Sequence, residues 1–118
     1  MPEVMNPVQV EQRIRQLGEG ISNMVSTCDQ AYRRFLRADH EYDLAVAHAE
    51  AGFTGPSWRA KGVVALATRD ERRARDDADA AYRYSDRRAK ALESELRAWQ
   101  SVGASVREAY RTAGRGEA

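Results

Sequence analysis

Alternate steps of four and three residues from Val10 land on Ile14, Leu17, Ile21, Met24, Cys28, Ala31, Phe35, Ala38, Tyr42, Ala45 and Ala49. None of these positions carries a charge or a strongly polar group. A repeat averaging 3.5 residues is slightly tighter than the natural α-helical turn. Such a seam stays aligned only when two helices wrap around each other with left-handed twist. The stretch is therefore a long helix in need of a partner helix, which the rest of the chain has to supply.

The partner follows after one turn. Gly52-Phe53-Thr54-Gly55-Pro56-Ser57 concentrates two glycines and a proline, which predicts a helix over 7–51, a turn at 52–57 and a helix over 58–111. Pro7 suits a first helical position and Asn6 an N-cap. Gly52 suits the position just past the first helix, and Thr54 or Ser57 can cap the second. Phe53 and Trp58 are expected to pack together over the end of the hairpin. Gly18 and Gly20 cost ~1 kcal/mol each relative to Ala. The seam stays in phase across them, so weakening is expected, with a break at Gly18–Gly20 as the alternative.

The second helix repeats the rhythm in its C-terminal half through Ala78, Tyr82, Ser85, Ala89, Leu92, Leu96, Trp99, Gly103, Val106 and Tyr110. Its N-terminal half runs in another phase, through Ala60, Val63 or Val64, Ala67 and Ala74, as a stutter would produce. Folding about the centre of the turn puts Phe35 near Ala74, Ile21 near Ala89, Leu17 near Leu92 and Val10 near Trp99. Phe35, Leu17, Leu92 and Trp99 are then expected to be the most buried side chains. Residues 1–6 and 112–118 read as frayed ends. The fold class is all-α: an antiparallel two-long-helix hairpin, a coiled coil, forming a single domain over 1–118.

Apolar residues off the seam exceed what two helices can cover. Val25, Tyr32, Leu36, Leu44 and Val46 flank the first seam, and Val102, Val106 and Tyr110 overhang its start. The expectation is self-association as a homodimer of hairpins, a four-helix bundle, with the same residues forming the oligomer or partner interface.

Chemistry is sparse. Cys28 is the only cysteine and sits on the seam, so it reads as a small buried hydrophobe, with a disulfide across a symmetric dimer as the sharper alternative. His40 and His48 lie two helical turns apart and read as solvated. No nucleophile–base set, metal-ligand spacing or phosphate-binding glycine loop is recognisable, so the chain is expected to be neither an enzyme nor a cofactor binder. No apolar run approaches the ~20 residues of a membrane span, and the N-terminus lacks signal-peptide features. The expected location is the cytoplasm, with no membrane partner. Net charge is only +1, against a strongly basic nucleic-acid binder. Two local clusters nonetheless support a nucleic-acid reading: Arg69, Arg72, Arg73 and Arg75, then Arg83, Arg87, Arg88 and Lys90, with Tyr84 or Tyr32 to stack a base. The plainer reading is that the residues of both clusters pair with carboxylates one turn away, as in Arg72 with Asp76, Arg73 with Asp77, Glu71 with Arg75, Asp79 with Arg83 and Asp86 with Lys90.

Two resemblances bear on function. The segment from Lys90 to Tyr110, Lys-Ala-Leu-Glu-Ser-Glu-Leu-Arg-Ala-Trp-Gln-Ser-Val-Gly-Ala-Ser-Val-Arg-Glu-Ala-Tyr, is similar to the C-terminal helix of small helical proteins encoded by bacteriophages of actinobacteria. That similarity implies a phage or prophage accessory protein of the bacterial cytoplasm and supplies no site residues. A hairpin with Trp near its turn also resembles the secreted Trp-x-Gly hairpins of type VII systems. Trp58 is followed by Arg59 and Ala60, however, so the Trp-x-Gly itself is missing. Tyr82 to Asp86 fits that family's Tyr-x-x-x-Asp/Glu signal but falls in mid-helix. The leading expectation is a non-enzymatic protein that binds a host or phage protein through its helical surfaces. Nucleic-acid binding is the alternative, and type VII secretion stands third.

Overall fold

The computed structural model describes residues 6–116. It holds three helices: α1 (Pro7–Gly52), α2 (Ser57–Ala67) and α3 (Arg69–Gly116). The fold is the all-α antiparallel helical hairpin, α1 forming one arm and α2 with α3 the other. The chain groups into two compact units, one of Met1–Ser26 with Arg87–Ala118 and one of Thr27–Asp86.

The seam of α1 holds along its whole length. All twelve positions from Val10 to Ala49 are buried or half-buried, and α1 runs through Gly18 and Gly20 without a break. Its start is a reciprocal cap: the Gln9 amide donates to Asn6 Oδ1 at 2.9 Å, and the Asn6 amide donates to Gln9 Oε1 at 3.3 Å. Two orphan donors of the first turn are thereby satisfied. On α3 the seam from Ala78 to Val106 is likewise buried or half-buried, whereas Tyr110 is exposed.

Four expectations need correction. The second arm is not one helix from 58 to 111. Thr68 leaves helical geometry at φ −114°, ψ 15° and separates α2 from α3. Its hydroxyl donates to the Val64 carbonyl at 2.8 Å, while its amide donates to the same oxygen at 3.0 Å. Such back-bonding by a Thr hydroxyl distorts a helix locally. Nor does fraying begin at 112: α3 continues to Gly116, while residues 1–5 and 117–118 of the expected ends lie outside the described residues.

The turn differs as well. Its positive φ, +154°, falls on Gly55 and not Gly52, and Pro56 occupies the N-cap of α2, where neither Thr54 nor Ser57 serves. Phe53 lies against Gly55, where a Cβ would meet the ring at 3.2 Å, whereas Trp58 stays 81% exposed. The two aromatics therefore do not close the hairpin end together.

The third correction is the phase near the start of the second arm. The protected positions are Ala60, Val64, Thr68, Glu71, Arg75, Ala78 and Tyr82, while Ala67 and Ala74 are exposed. Searching for apolar residues missed a seam whose members here are partly polar. The fourth is the register. A Cβ on Gly103 would lie 3.2 Å from Val10 Cγ1, so Val10 meets Gly103 and not Trp99, one helical turn further along. Tyr32 likewise pairs with Tyr82, and Asp39 with Arg75. The second arm spends these extra residues on the turn and the distortion at Thr68. In consequence Leu17 is buried at 3% exposure, but Phe35, Leu92 and Trp99 are only half-buried. A pair of helices has no second layer to cover large side chains.

Candidate interaction surfaces

With the seams aligned, the positions beside them follow. In an antiparallel pair, heptad position e faces e and g faces g. The e-flank of the first unit pairs Glu11 with Arg107 at 3.8 Å, and its g-flank pairs Arg13 with Glu95 at 2.5 Å. All four side chains are substantially exposed, so each pair contributes at most ~1 kcal/mol and serves mainly to select the register. In the second unit Arg75 occupies a seam position. Its Nε donates to Asp39 Oδ1 at 2.9 Å, and its guanidinium carbon lies 5.5 Å from the Tyr42 ring centroid. The stem of Arg75 fills the seam while its head reaches the flank. Tyr32 stacks at a tilt on Tyr82, with ring centroids 5.1 Å apart.

Of the expected interface residues, Val25, Tyr32, Leu36, Leu44, Val102 and Tyr110 are exposed, and Val106 is half-buried, as is Val46. They do not form one patch. Tyr32 and Leu36, one turn apart at positions e and b, share a flank of the second unit, but Leu44 falls at c on the opposite flank. Val25 belongs to the first unit, on the e-flank of α1. The register also removes the expected overhang of Val102 and Val106, which stand level with residues 11 and 7. Tyr110 lies past the level of Pro7, where α1 begins.

The basic clusters scatter around α3. Counted from the seam, Arg69, Arg83 and Lys90 fall at b, Arg72 at e, Arg73 and Arg87 at f, and Arg88 at g. Arg83 holds Asp79 at 3.1 Å, as its spacing predicts, and Arg69 approaches Asp70 at 3.9 Å. Arg75 turns to Asp39 and not to Glu71. Among the described residues no carboxylate pairs with Arg72, Arg73, Arg87 or Arg88, although Asp76 and Asp77 lie one turn beyond the first two.

The second unit also holds an open cleft of 480 Å³ between the end of α1, α2 and the start of α3. Glu50, Lys61 and Arg72 supply its charges over an apolar floor that includes Val46, Ala60 and Val64. His40 and His48 are exposed, Cys28 is a half-buried free thiol, and no metal-ligating cluster occurs among the described residues. No described helix is long and apolar enough to cross a membrane. Sequence reasoning missed the outward face of α2, where Trp58 and Leu66 are exposed. The available signal was the lack of any acidic residue between Ala51 and Arg69. No family model matches the chain, and no curated protein or solved structure matches it.

Proposed function

We infer that the protein is a non-enzymatic accessory protein of the phage type that acts by binding another protein through its helical flanks, and that it pairs with a second copy of itself. The observation that carries this reading is surface. Val10, Leu17 and Val64 are the buried hydrophobic residues among those described, while Tyr32 and Leu36 remain 43% and 46% exposed. Apolar flanks beside a satisfied seam are what a further helix would cover. The similarity of residues 90–110 to phage helical proteins supports the phage context, and with it a bacterial cytoplasmic location.

Light scattering or sedimentation of the full chain tests the self-association. A mass near twice 13.2 kDa, halved by Leu36→Glu on the exposed flank, is the expected result. A mass near 13.2 kDa at micromolar concentration refutes the dimer and leaves the flank to a different protein, which a pull-down from the host would identify.

A second reading, nucleic-acid binding, is favoured by the unpaired state of Arg72, Arg73, Arg87 and Arg88. Their scatter around the helix and the small net charge weigh against it. Tight, salt-sensitive binding to duplex or single-stranded DNA, lost on charge reversal of these four, would establish it.

A further inference from the structure

A second surface lies at the turn end of the second unit, on α2. At about 100° per residue, Ala60 and Val64 face inward, and they are the half-buried and buried positions of this helix. The opposite side carries Trp58, Gly62, Ala65 and Leu66, all exposed, Trp58 at 81% and Leu66 at 72%. Arg59 and Lys61 stand on either side of that stripe, also exposed. An apolar stripe with Trp at one end, bordered by cations on both sides, is the arrangement of a helix lying in a lipid interface. There the Trp ring and Leu sink below the headgroups, and the cations reach back to phosphate.

Charge decides what covers the face. Between Ala51 and Arg69 the chain has Arg59, Lys61 and Arg69 and no Asp or Glu, although it has 18 acidic residues in all. A second copy docked here α2 against α2 would bring Arg59 and Lys61 against their twins, with no carboxylate on either helix to meet them. An occupant must be anionic. Lys61 and Ala65 at one edge of the face line the cleft, while Trp58, Gly62 and Leu66 form the outside of the helix, which suits a plane better than a protruding side chain.

We propose that the outward face of α2 docks on anionic phospholipid, holding the hairpin's turn end against a membrane surface without crossing it. This is separate from the protein-binding flank, and either stands without the other. Each cation near such a surface adds about fivefold to affinity.

The test is co-sedimentation of the full chain with phosphatidylserine-containing vesicles and with pure phosphatidylcholine vesicles. Binding to the first and little to the second is expected, weakening as salt rises. Arg59→Glu/Lys61→Glu and Trp58→Ser/Leu66→Ser should each weaken it at least tenfold. Circular dichroism should be unchanged, because all four side chains are exposed. In a Trp99→Phe background, the emission of Trp58 should shift to the blue on adding anionic vesicles. Equal binding to both vesicle types, or insensitivity to either double substitution, overturns the proposal. So does equally tight binding of polyglutamate or DNA without lipid, which would reassign the face to an acidic protein or a nucleic acid.

Discussion

Glycine positions separate close helix approach from simple helix propensity. Replacing a mid-helix Gly by Ala stabilises by ~1 kcal/mol through the backbone alone. At Gly18 nothing lies within 4 Å of an added Cβ, so Gly18→Ala should show that gain undiluted. At Gly103 the same Cβ would meet Val10 Cγ1 at 3.2 Å and Ile14 Cδ1 at 3.5 Å. The Ile14 methyl can swing aside, but Val10 is 1% exposed and has only a void of about 30 Å³ beside it to move into. Overpacking a tight site costs ~1–3 kcal/mol. The two terms therefore leave Gly103→Ala between neutral and about 2 kcal/mol destabilised, and Gly103→Leu clearly destabilised. Urea denaturation followed by circular dichroism compares the variants, with equal slopes required for a valid comparison. If Gly103→Ala stabilises as much as Gly18→Ala, the helices do not meet closely at Val10, and the register drawn from that contact is wrong.

Leu17→Ala should cost ~2–5 kcal/mol in the same assay, and Phe35→Ala less than the usual core penalty, because Phe35 is only half-buried; the reverse order would contradict the packing. Thr68→Val removes a buried hydroxyl bond of 2.8 Å and should cost ~1 kcal/mol, so a thermal melt showing stabilisation would mean the hydroxyl is not holding the distortion. Helix accounts for 94% of the described structure, and circular dichroism reporting less than about half helix, well above which this chain must lie, would refute the fold itself.

The seam of α1 was legible because nothing on it departs from the rule: each of its positions is apolar or small, and each is protected. The seam of α3 was legible as far as Ala78 for the same reason. Upstream, Glu71 and Arg75 occupy seam positions with polar heads and packed stems, so a search for apolar residues followed Ala67 and Ala74 instead. Register was less accessible still. It depends on how many residues the turn and the Thr68 distortion consume, and neither length is written in a heptad. The interaction residues were legible as surplus. Whether they cohere was not, since Leu36 and Leu44 differ by eight residues and yet fall on opposite flanks.

The offset pairing of Val10 with Gly103 has a further consequence for uniqueness. Two heptad seams can slide past each other by seven residues and still place apolar on apolar, so the repeat alone leaves several nearly equivalent alignments. What breaks the degeneracy is the handful of residues that do not repeat. A slip of one heptad along the second arm would set Val10 against Leu96 or Tyr110, where the space of Gly103 is gone. Arg13 would leave Glu95 for Arg88 or Val102, and Asp39 would leave Arg75 for Thr68 or Tyr82, neither of them cationic. Ion pairs that add little to stability where they stand thus act as an energy gap between the native alignment and its neighbours. A chain carrying Gly103→Leu with Arg75→Leu would remain helical yet populate more than one alignment, its two arms free to choose among near-equal partners.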